Sequence, residues 1–72
     1  MDSFEATGIV EGFVECNSAE MMIEAWQYLV DTDMCWELQG WFGRAAKELL
    51  LNGTIKATTE ISKRVLEGGW DD

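Results

Sequence analysis

Residues 18–32 read SAEMMIEAWQYLVDT, and this stretch decides the fold because its apolar residues recur with the period of an α-helix. Asn17 or Ser18 can cap the first turn, and Glu20 stands three residues after Asn17, as in a capping box. The pattern predicts a helix that ends at residues 31–33 and turns one apolar stripe toward a core. The residues of that stripe follow i, i+3, i+4, i+7, i+8 spacing: Met22, Ala25, Trp26, Leu29 and Val30.

The opposite face of this helix is acidic. Its positions i, i+4, i+7 and i+11 lie within about 60° of each other at 100° per residue. These positions hold Glu20, Glu24, Gln27 and Asp31. No Lys or Arg stands three or four residues after any of the carboxylates, so the row lowers helix stability locally. Such a row is either simply solvated or available to a cationic partner, and the sequence leaves both interpretations open.

A second helical pattern lies between Met34 and Asn52, where Gly53 provides a left-handed stop. Its interior contains Gly40 and Gly43, each of which costs a helix about 1 kcal/mol relative to Ala. Either residues 34–39 form a separate turn and the helix starts near Gly40, or the helix is continuous and the glycines border a strip where another backbone packs closely. We favour the break. The apolar positions with helical spacing are Met34, Leu38, Trp41, Phe42, Ala45 and Leu49.

The two ends of the chain carry weaker signals. In residues 8–16, successive side chains would fall on alternate faces of an extended segment, which predicts an N-terminal strand, with an extended arm as the alternative. Residues 54–57 are too short to classify and are the candidate for pairing with that strand. Thr58 is predicted to cap a last short helix that runs through Glu67, with basic residues in its final turn.

Together these elements predict a mainly α fold class, with two principal helices, a short C-terminal helix and a short N-terminal strand or arm. The chain is short enough that we expect one small domain over residues 1–72. Within it, residues 1–16 form the N-terminal arm or strand, residues 17–53 the helical core and residues 54–72 the C-terminal segment.

The charge balance narrows the function. Fourteen acidic residues against five basic ones give the 72-residue chain a formal net charge of −9. Residues 1–43 hold nine of the acidic residues and no basic one, whereas residues 44–72 hold five of each sign. Binding to a phosphate backbone depends on Lys and Arg, so we expect no direct contact with nucleic acid. Histidine is absent, which excludes Ser-His and Cys-His nucleophilic sites and His-ligated zinc.

Compartment and thiol chemistry follow from equally simple features. The acidic N-terminus lacks the basic start of a secretory signal, and no apolar run approaches the roughly 20 residues of a membrane span. We therefore expect a cytoplasmic protein with no membrane contact.

Cys16 and Cys35 have neither Cys-x-x-Cys spacing nor a histidine beside them, so we predict two buried free thiols and neither a metal nor another cofactor.

Residues 24–32 (EAWQYLVDT) and residues 36–46 (WELQGWFGRAA) resemble a family of small uncharacterised proteins encoded by tailed bacteriophages and prophages. The shared pattern is Leu-Val/Ile-Asp-Thr, then Trp-x-Leu-Gln-Gly-x-Tyr/Phe-Gly-Arg-x-Ala, then a Leu-rich helix that ends in Gly at residue 53. This chain has Asp33 where most relatives carry Gly, which makes the turn between the helices more acidic. The resemblance implies a phage-like accessory protein in the cytoplasm of an infected bacterium, and no established activity comes with it.

A non-enzymatic interaction module is the function class that these features favour. The carboxylate pairs follow from the acidic composition, and neither a Gly-rich phosphate loop nor a metal cluster appears. We predict a protein that binds and modulates a host or defence protein with a basic surface. The residues predicted to contact that partner are Glu20, Glu24, Asp31, Asp33, Trp36, Glu37 and Arg44.

Two of these residues carry explicit alternatives. Trp36 is an exposed hot spot if the second helix is continuous, but it folds inward if the helix breaks. Arg44 either forms a salt bridge with Glu37 or Glu48 or anchors a carboxylate of the partner. The small size and the heavy aromatic content also predict a homo-oligomer, a dimer.

Two further functions are kept as alternatives. Glu20, Glu24 and Asp31 span about 16 Å at 1.5 Å per residue, so the acidic row resembles a strand of phosphates. A mimic of this kind would inhibit a nucleic-acid-binding protein, such as a restriction or CRISPR component. The other alternative is a small regulator of the helix-turn-helix type that binds DNA, although its recognition helix offers only Arg44 and Lys47.

Overall fold

Helices make up all the regular structure that the computed structural model of the chain describes, which covers residues 1–12, 18–38 and 40–68. The predicted mainly helical fold is therefore confirmed over these residues. In chain order the elements are α1 (Ser3–Glu11), α2 (Ala19–Asp31), a 3₁₀ turn (Met34–Trp36), α3 (Gly40–Leu51) and α4 (Glu60–Leu66).

The predicted N-terminal strand is wrong, because residues 8–11 belong to α1. The side chain of Asp2 caps this helix by accepting a hydrogen bond of 2.8 Å from the backbone N–H of Glu5. Ala6 and Ile9, three residues apart, are buried on the side of α1 that packs against α2. The alternating pattern concealed this helical spacing, and the extended arm is also wrong for residues 3–11. The rest of the predicted strand, at residues 13–16, lies outside the described residues.

The predicted first principal helix is confirmed as α2. Ser18 is its N-cap and accepts a hydrogen bond of 3.1 Å from the backbone N–H of Met21. The other candidate cap, Asn17, lies outside the described residues. Met22 is half-buried against the core, and the other four residues of the predicted stripe are fully in it: Ala25, Trp26, Leu29 and Val30.

The favoured break before Gly40 is also confirmed. Asp33 adopts a left-handed backbone conformation with a φ of 61°, which interrupts the helical path after α2. Residues 34–36 then form the separate 3₁₀ turn, and α3 starts at Gly40. Gly53, with a φ of 83°, reverses the chain after α3 as predicted, because its missing side chain makes the left-handed region accessible.

The C-terminal segment differs from the prediction in two details. Residues 54–57 form no strand; Ile55 is buried, and the segment lies against α2 through its backbone. The cap of α4 is Thr59 and not Thr58, because Thr59 and Ser62 form a reciprocal capping box. The short C-terminal helix itself is confirmed, with Lys63 and Arg64 in its last turn.

One hydrophobic core draws buried residues from all four helices and fixes the outer face of α2 toward solvent. Alongside the α2 stripe, it contains Ala6, Ile9, Cys35, Phe42, Ala46, Leu50, Ile55 and Val65.

Within the described part of the chain, none of the helices combines the length and the apolar character needed to cross a membrane.

Candidate partner-binding surface

A shallow groove of about 500 Å³ follows the outer face of α2, and we call it the α2 groove. It extends from the start of the chain along most of the helix. Its lining contains all four members of the predicted row, Glu20, Glu24, Gln27 and Asp31. The other residues that line it are Met1, Ile23 and Tyr28. The structure therefore brings the predicted row together on one open surface.

The carboxylates at the N-terminal end of the α2 groove are exposed to solvent. Within the described residues, neither the carboxylate of Glu20 nor that of Glu24 takes part in a hydrogen bond or an ion pair. The two stand four residues apart on one helical face, where like charges repel each other. Among the described residues, no Lys or Arg side chain lines the groove. This end of the groove therefore presents negative charge to anything that approaches it.

The α2 groove is not purely acidic, because apolar side chains lie between the carboxylates. Ile23 is 39% exposed and Met1 is 43% exposed, and both line the groove. Tyr28 lines it as a half-buried aromatic ring. Exposed apolar surface rimmed by polar groups is typical of sites that bind proteins.

The C-terminal end of the α2 groove is tied to the segment that precedes α4. The side-chain amide of Gln27 donates to the backbone C=O of Lys56 at 2.9 Å and accepts from the backbone N–H of the same residue at 2.8 Å. Gln27 also donates to Oδ1 of Asp31 at 2.9 Å, and the hydroxyl of Thr58 donates to the same oxygen. Asp31 is thus already hydrogen-bonded within the chain.

Asp33 extends this set of hydrogen bonds into the turn after α2. Its Oδ1 accepts from the indole Nε1 of Trp36 at 3.1 Å and from the hydroxyl of Thr59 at 2.6 Å. We call the bonds from Gln27, Asp31 and Asp33 to residues 56–59 the polar clamp, because they hold the beginning of α4 against the end of α2.

Trp36 has the position expected when the helix breaks. It is half-buried and packs against the core, and its indole is held by Asp33. The site residues Asp33 and Trp36 therefore contact each other within the fold. Trp41 is more exposed than Trp36, at 40%. Its ring stacks on Phe42 with the ring centroids 4.0 Å apart and forms a T-shaped pair with Trp26 at a centroid distance of 6.4 Å. Trp26 lies on the side of α2 that faces away from Glu24, so these rings and the α2 groove belong to different surfaces.

The last two predicted site residues lie outside the α2 groove. Glu37 is exposed directly after the 3₁₀ turn, and Arg44 is exposed on α3. The guanidinium of Arg44 folds back toward the start of its helix, where a Cβ on Gly40 would lie 3.4 Å from its Nη1 atom. Its salt bridge with Glu37 or Glu48 stays a prediction.

Cys35 is a free, buried thiol, as predicted, while Cys16 lies outside the described residues. Burial, and secondarily the negative charge of Asp33, raises the pKa of Cys35 from its ordinary value of 9.0 to about 12. The thiol is therefore protonated at neutral pH and is a poor nucleophile there. Among the described residues, no group of three or more Cys, Asp or Glu side chains is placed to hold a metal ion.

The sequence contained no signal for the polar clamp. Gln27 and Lys56 are 29 positions apart, and a side-chain amide that pairs with a distant backbone leaves no periodic pattern. A local signal did exist at Thr59, because Ser, Thr and Asp precede helices as caps. That signal locates the beginning of α4 but not the carboxylates that it contacts.

The family model of the domain of unknown function DUF7417 matches residues 14–68. No curated protein and no solved structure matches the chain. The matched span contains α2, α3, α4 and both partners of the polar clamp, while α1 lies before it.

Proposed function

The chain belongs to the family of the domain of unknown function DUF7417, and on that premise we propose that it is a non-enzymatic accessory protein that binds a basic host or defence protein in the α2 groove. The resemblance of residues 24–53 to tailed-phage proteins supports a bacteriophage origin and a place of action in the cytoplasm of the infected bacterium. The protein would act by occupying a surface of its target.

A single observation carries this proposal. The α2 groove combines exposed carboxylates with exposed apolar side chains, and none of the described residues that line it is Lys or Arg. Glu20 and Glu24 would attract Lys and Arg side chains of a partner, and Ile23 with Met1 would contact an apolar residue between them. Charges of this kind accelerate and orient association, while apolar contacts at the centre supply most of the affinity.

The same observation favours a protein segment over imitation of a nucleic acid. A phosphate mimic needs an unbroken line of free charges, but Asp31 accepts hydrogen bonds from Gln27 and Thr58. Ile23 interrupts the line with an exposed apolar side chain. The groove is therefore better suited to a basic, partly apolar protein surface, and inhibition by DNA mimicry is the second candidate function.

Affinity capture from a bacterial lysate tests the proposal with three forms of the tagged protein. These are the natural chain, the groove variant Glu20→Gln/Glu24→Gln and a control variant, Glu11→Gln/Glu67→Gln, which removes the same charge from exposed sites elsewhere. A specific partner is retained by the natural chain and the control, and it is lost by the groove variant. Retention also falls as salt rises from about 50 mM to about 500 mM, because screening weakens exposed charge pairs.

Binding of the purified partner is then measured by calorimetry. We expect the groove variant to bind at least about tenfold more weakly, which corresponds to about 1.4 kcal/mol. Equal binding by the natural chain and the groove variant would refute the proposal. Displacement of the partner by duplex DNA would instead identify the protein as a DNA mimic.

A further inference from the structure

The outer face of α3 carries an apolar side chain that nothing in the described fold covers. Leu51 is 60% exposed at the last position of the helix. It lies in a shallow groove of about 330 Å³ with Arg44, Lys47, Glu48 and Asn52. We call this surface the α3 face.

The α3 face and the α2 groove are complementary in charge. Within the part of the chain that the structure describes, three carboxylates and no Lys or Arg line the α2 groove, whereas the α3 face contains two basic side chains and one carboxylate. Each surface also has an exposed aliphatic side chain among its charges, Ile23 in the groove and Leu51 on the face. A second copy of the chain therefore offers each surface an occupant of opposite charge with an apolar contact.

We propose that the α3 face of one copy docks in the α2 groove of a second copy, so that self-association and a basic partner compete for the same groove. The competitive part rests on the proposed function, whereas the self-association does not. Lys47 would lie against the carboxylates of Glu20 and Glu24, and Leu51 would contact Ile23. Self-association would then cover the groove until a partner with more positive charge displaces the second copy.

The net charge sets the strength and the salt dependence of this contact. Each copy carries a formal charge of −9, so two copies repel each other at long range. Salt screens both this repulsion and the attraction of Lys47 to Glu20 and Glu24, with a Debye length of about 10 Å at 0.1 M. The repulsion between two copies of charge −9 outweighs these few charge pairs, and the apolar contact of Leu51 persists in salt. Self-association should therefore strengthen as salt rises from low to moderate concentration. Binding of a basic partner should weaken over the same range, which separates the two processes.

The contact joins two different surfaces of the chain, so its symmetry depends on how many times a pair of copies makes it. A pair of copies either makes it twice around a two-fold axis or makes it once and leaves one groove and one face open. Two variants that each lack one of the surfaces should consequently be unable to associate alone but able to associate with each other.

Sedimentation equilibrium over a concentration series at several salt concentrations tests the proposal. Leu51→Glu places a negative charge on the α3 face, and Leu66→Glu is its control, because Leu66 is the exposed last residue of α4. We expect Leu51→Glu to raise the dissociation constant at least about tenfold and Leu66→Glu to change it by less than about twofold. In an equimolar mixture, Leu51→Glu and Glu20→Gln/Glu24→Gln should form a complex with the mass of two chains.

Three results would each overturn the proposal: a natural chain that stays monomeric at every salt concentration, equal effects of Leu51→Glu and Leu66→Glu, or a mixture of the two defective variants that does not associate. Circular dichroism checks that each variant is folded. The basic partner should still bind Leu51→Glu, whose α2 groove is intact. Loss of self-association with partner binding retained therefore separates this proposal from the proposed function.

Discussion

At the N-terminal end of the α2 outer face, the carboxylates of Glu20 and Glu24 are exposed and have no hydrogen-bond partner among the described residues, whereas at the C-terminal end Asp31 accepts hydrogen bonds from Gln27 and Thr58. All these side chains lie on one face of one helix. They differ in what the rest of the chain places beside them. The segment before α4 reaches only the C-terminal end, where it forms the polar clamp.

This difference separates a folding role from a binding role along a single helical row. A hydrogen bond within the chain stabilises the fold by about 0.5–1.5 kcal/mol, so the residues of the polar clamp contribute to stability. Glu20 lies in the first turn of α2, where a negative charge interacts favourably with the helix dipole. Glu24 lies one turn later and repels Glu20, so a contribution to stability does not explain Glu24. Under the proposed function, the N-terminal end of the row binds the partner and the C-terminal end stabilises the fold.

The largest expected effect concerns Cys35, which is buried in the 3₁₀ turn two residues after Asp33. In a Cys16→Ser protein at pH 8, Cys35 should react with a disulfide reagent about a thousandfold more slowly than an ordinary exposed thiol, because a pKa of about 12 in place of 9.0 leaves that much less thiolate. The rate of absorbance change measures the reaction, and the urea-unfolded protein is the control. Equal rates in the folded and unfolded protein would show that Cys35 is accessible in the folded protein.

The raised pKa of Cys35 also determines in which direction the stability of the folded protein changes with pH. A protonated thiol is favoured in the folded protein, so its contribution to stability is complete below a pH of about 9. That contribution is lost as the pH rises from about 9 toward 12, where the folded protein must also release the proton.

Asp33 gives the next largest effect, because it combines two hydrogen bonds with an unusual backbone. Asp33→Ala should lower the free energy of unfolding by about 2–3 kcal/mol, since it removes the acceptor for Trp36 and Thr59 and leaves an alanine at a φ of 61°. Asp33→Gly loses the same hydrogen bonds but adopts that φ easily, so it should cost about 1 kcal/mol less. Urea denaturation measures both. Identical losses would mean that the backbone conformation contributes nothing.

The sequence was sufficient wherever local periodicity and capping decide the structure. The apolar stripe of α2, the break before Gly40 and the stop at Gly53 all follow from spacing or from the conformational preference of single residues. The same reasoning failed at residues 8–11, where alternation and helical spacing coincide over a short stretch. Burial of Ile9 against α2 decides between them, and that burial is a tertiary contact.

The candidate site was predictable as a row of residues but not as a divided surface. Helical phase places Glu20 and Asp31 on one face, and the structure agrees. Which of these carboxylates is free depends on where residues 56–59 pack, and no local pattern encodes that position. The exposure of Leu51 was hidden for a related reason, because a leucine near the end of a Leu-rich helix is normally assigned to the core.

The smallest effect tests the comparison most directly, because it sets one residue from each end of the row against the other. Gln27→Ala should lower the free energy of unfolding by about 1–2 kcal/mol, since both hydrogen bonds to the backbone of Lys56 disappear. Glu24→Ala should change it by less than about 0.5 kcal/mol, and in the stabilising direction, because it relieves repulsion with Glu20. Urea denaturation at low salt measures both changes, and moderate salt should reduce only the second. If Glu24→Ala destabilises the protein as much as Gln27→Ala, then Glu24 is a structural residue and the two ends do not differ. If Glu24→Ala stabilises the protein and also weakens partner binding, the chain retains this glutamate at the expense of stability, which only a binding role accounts for.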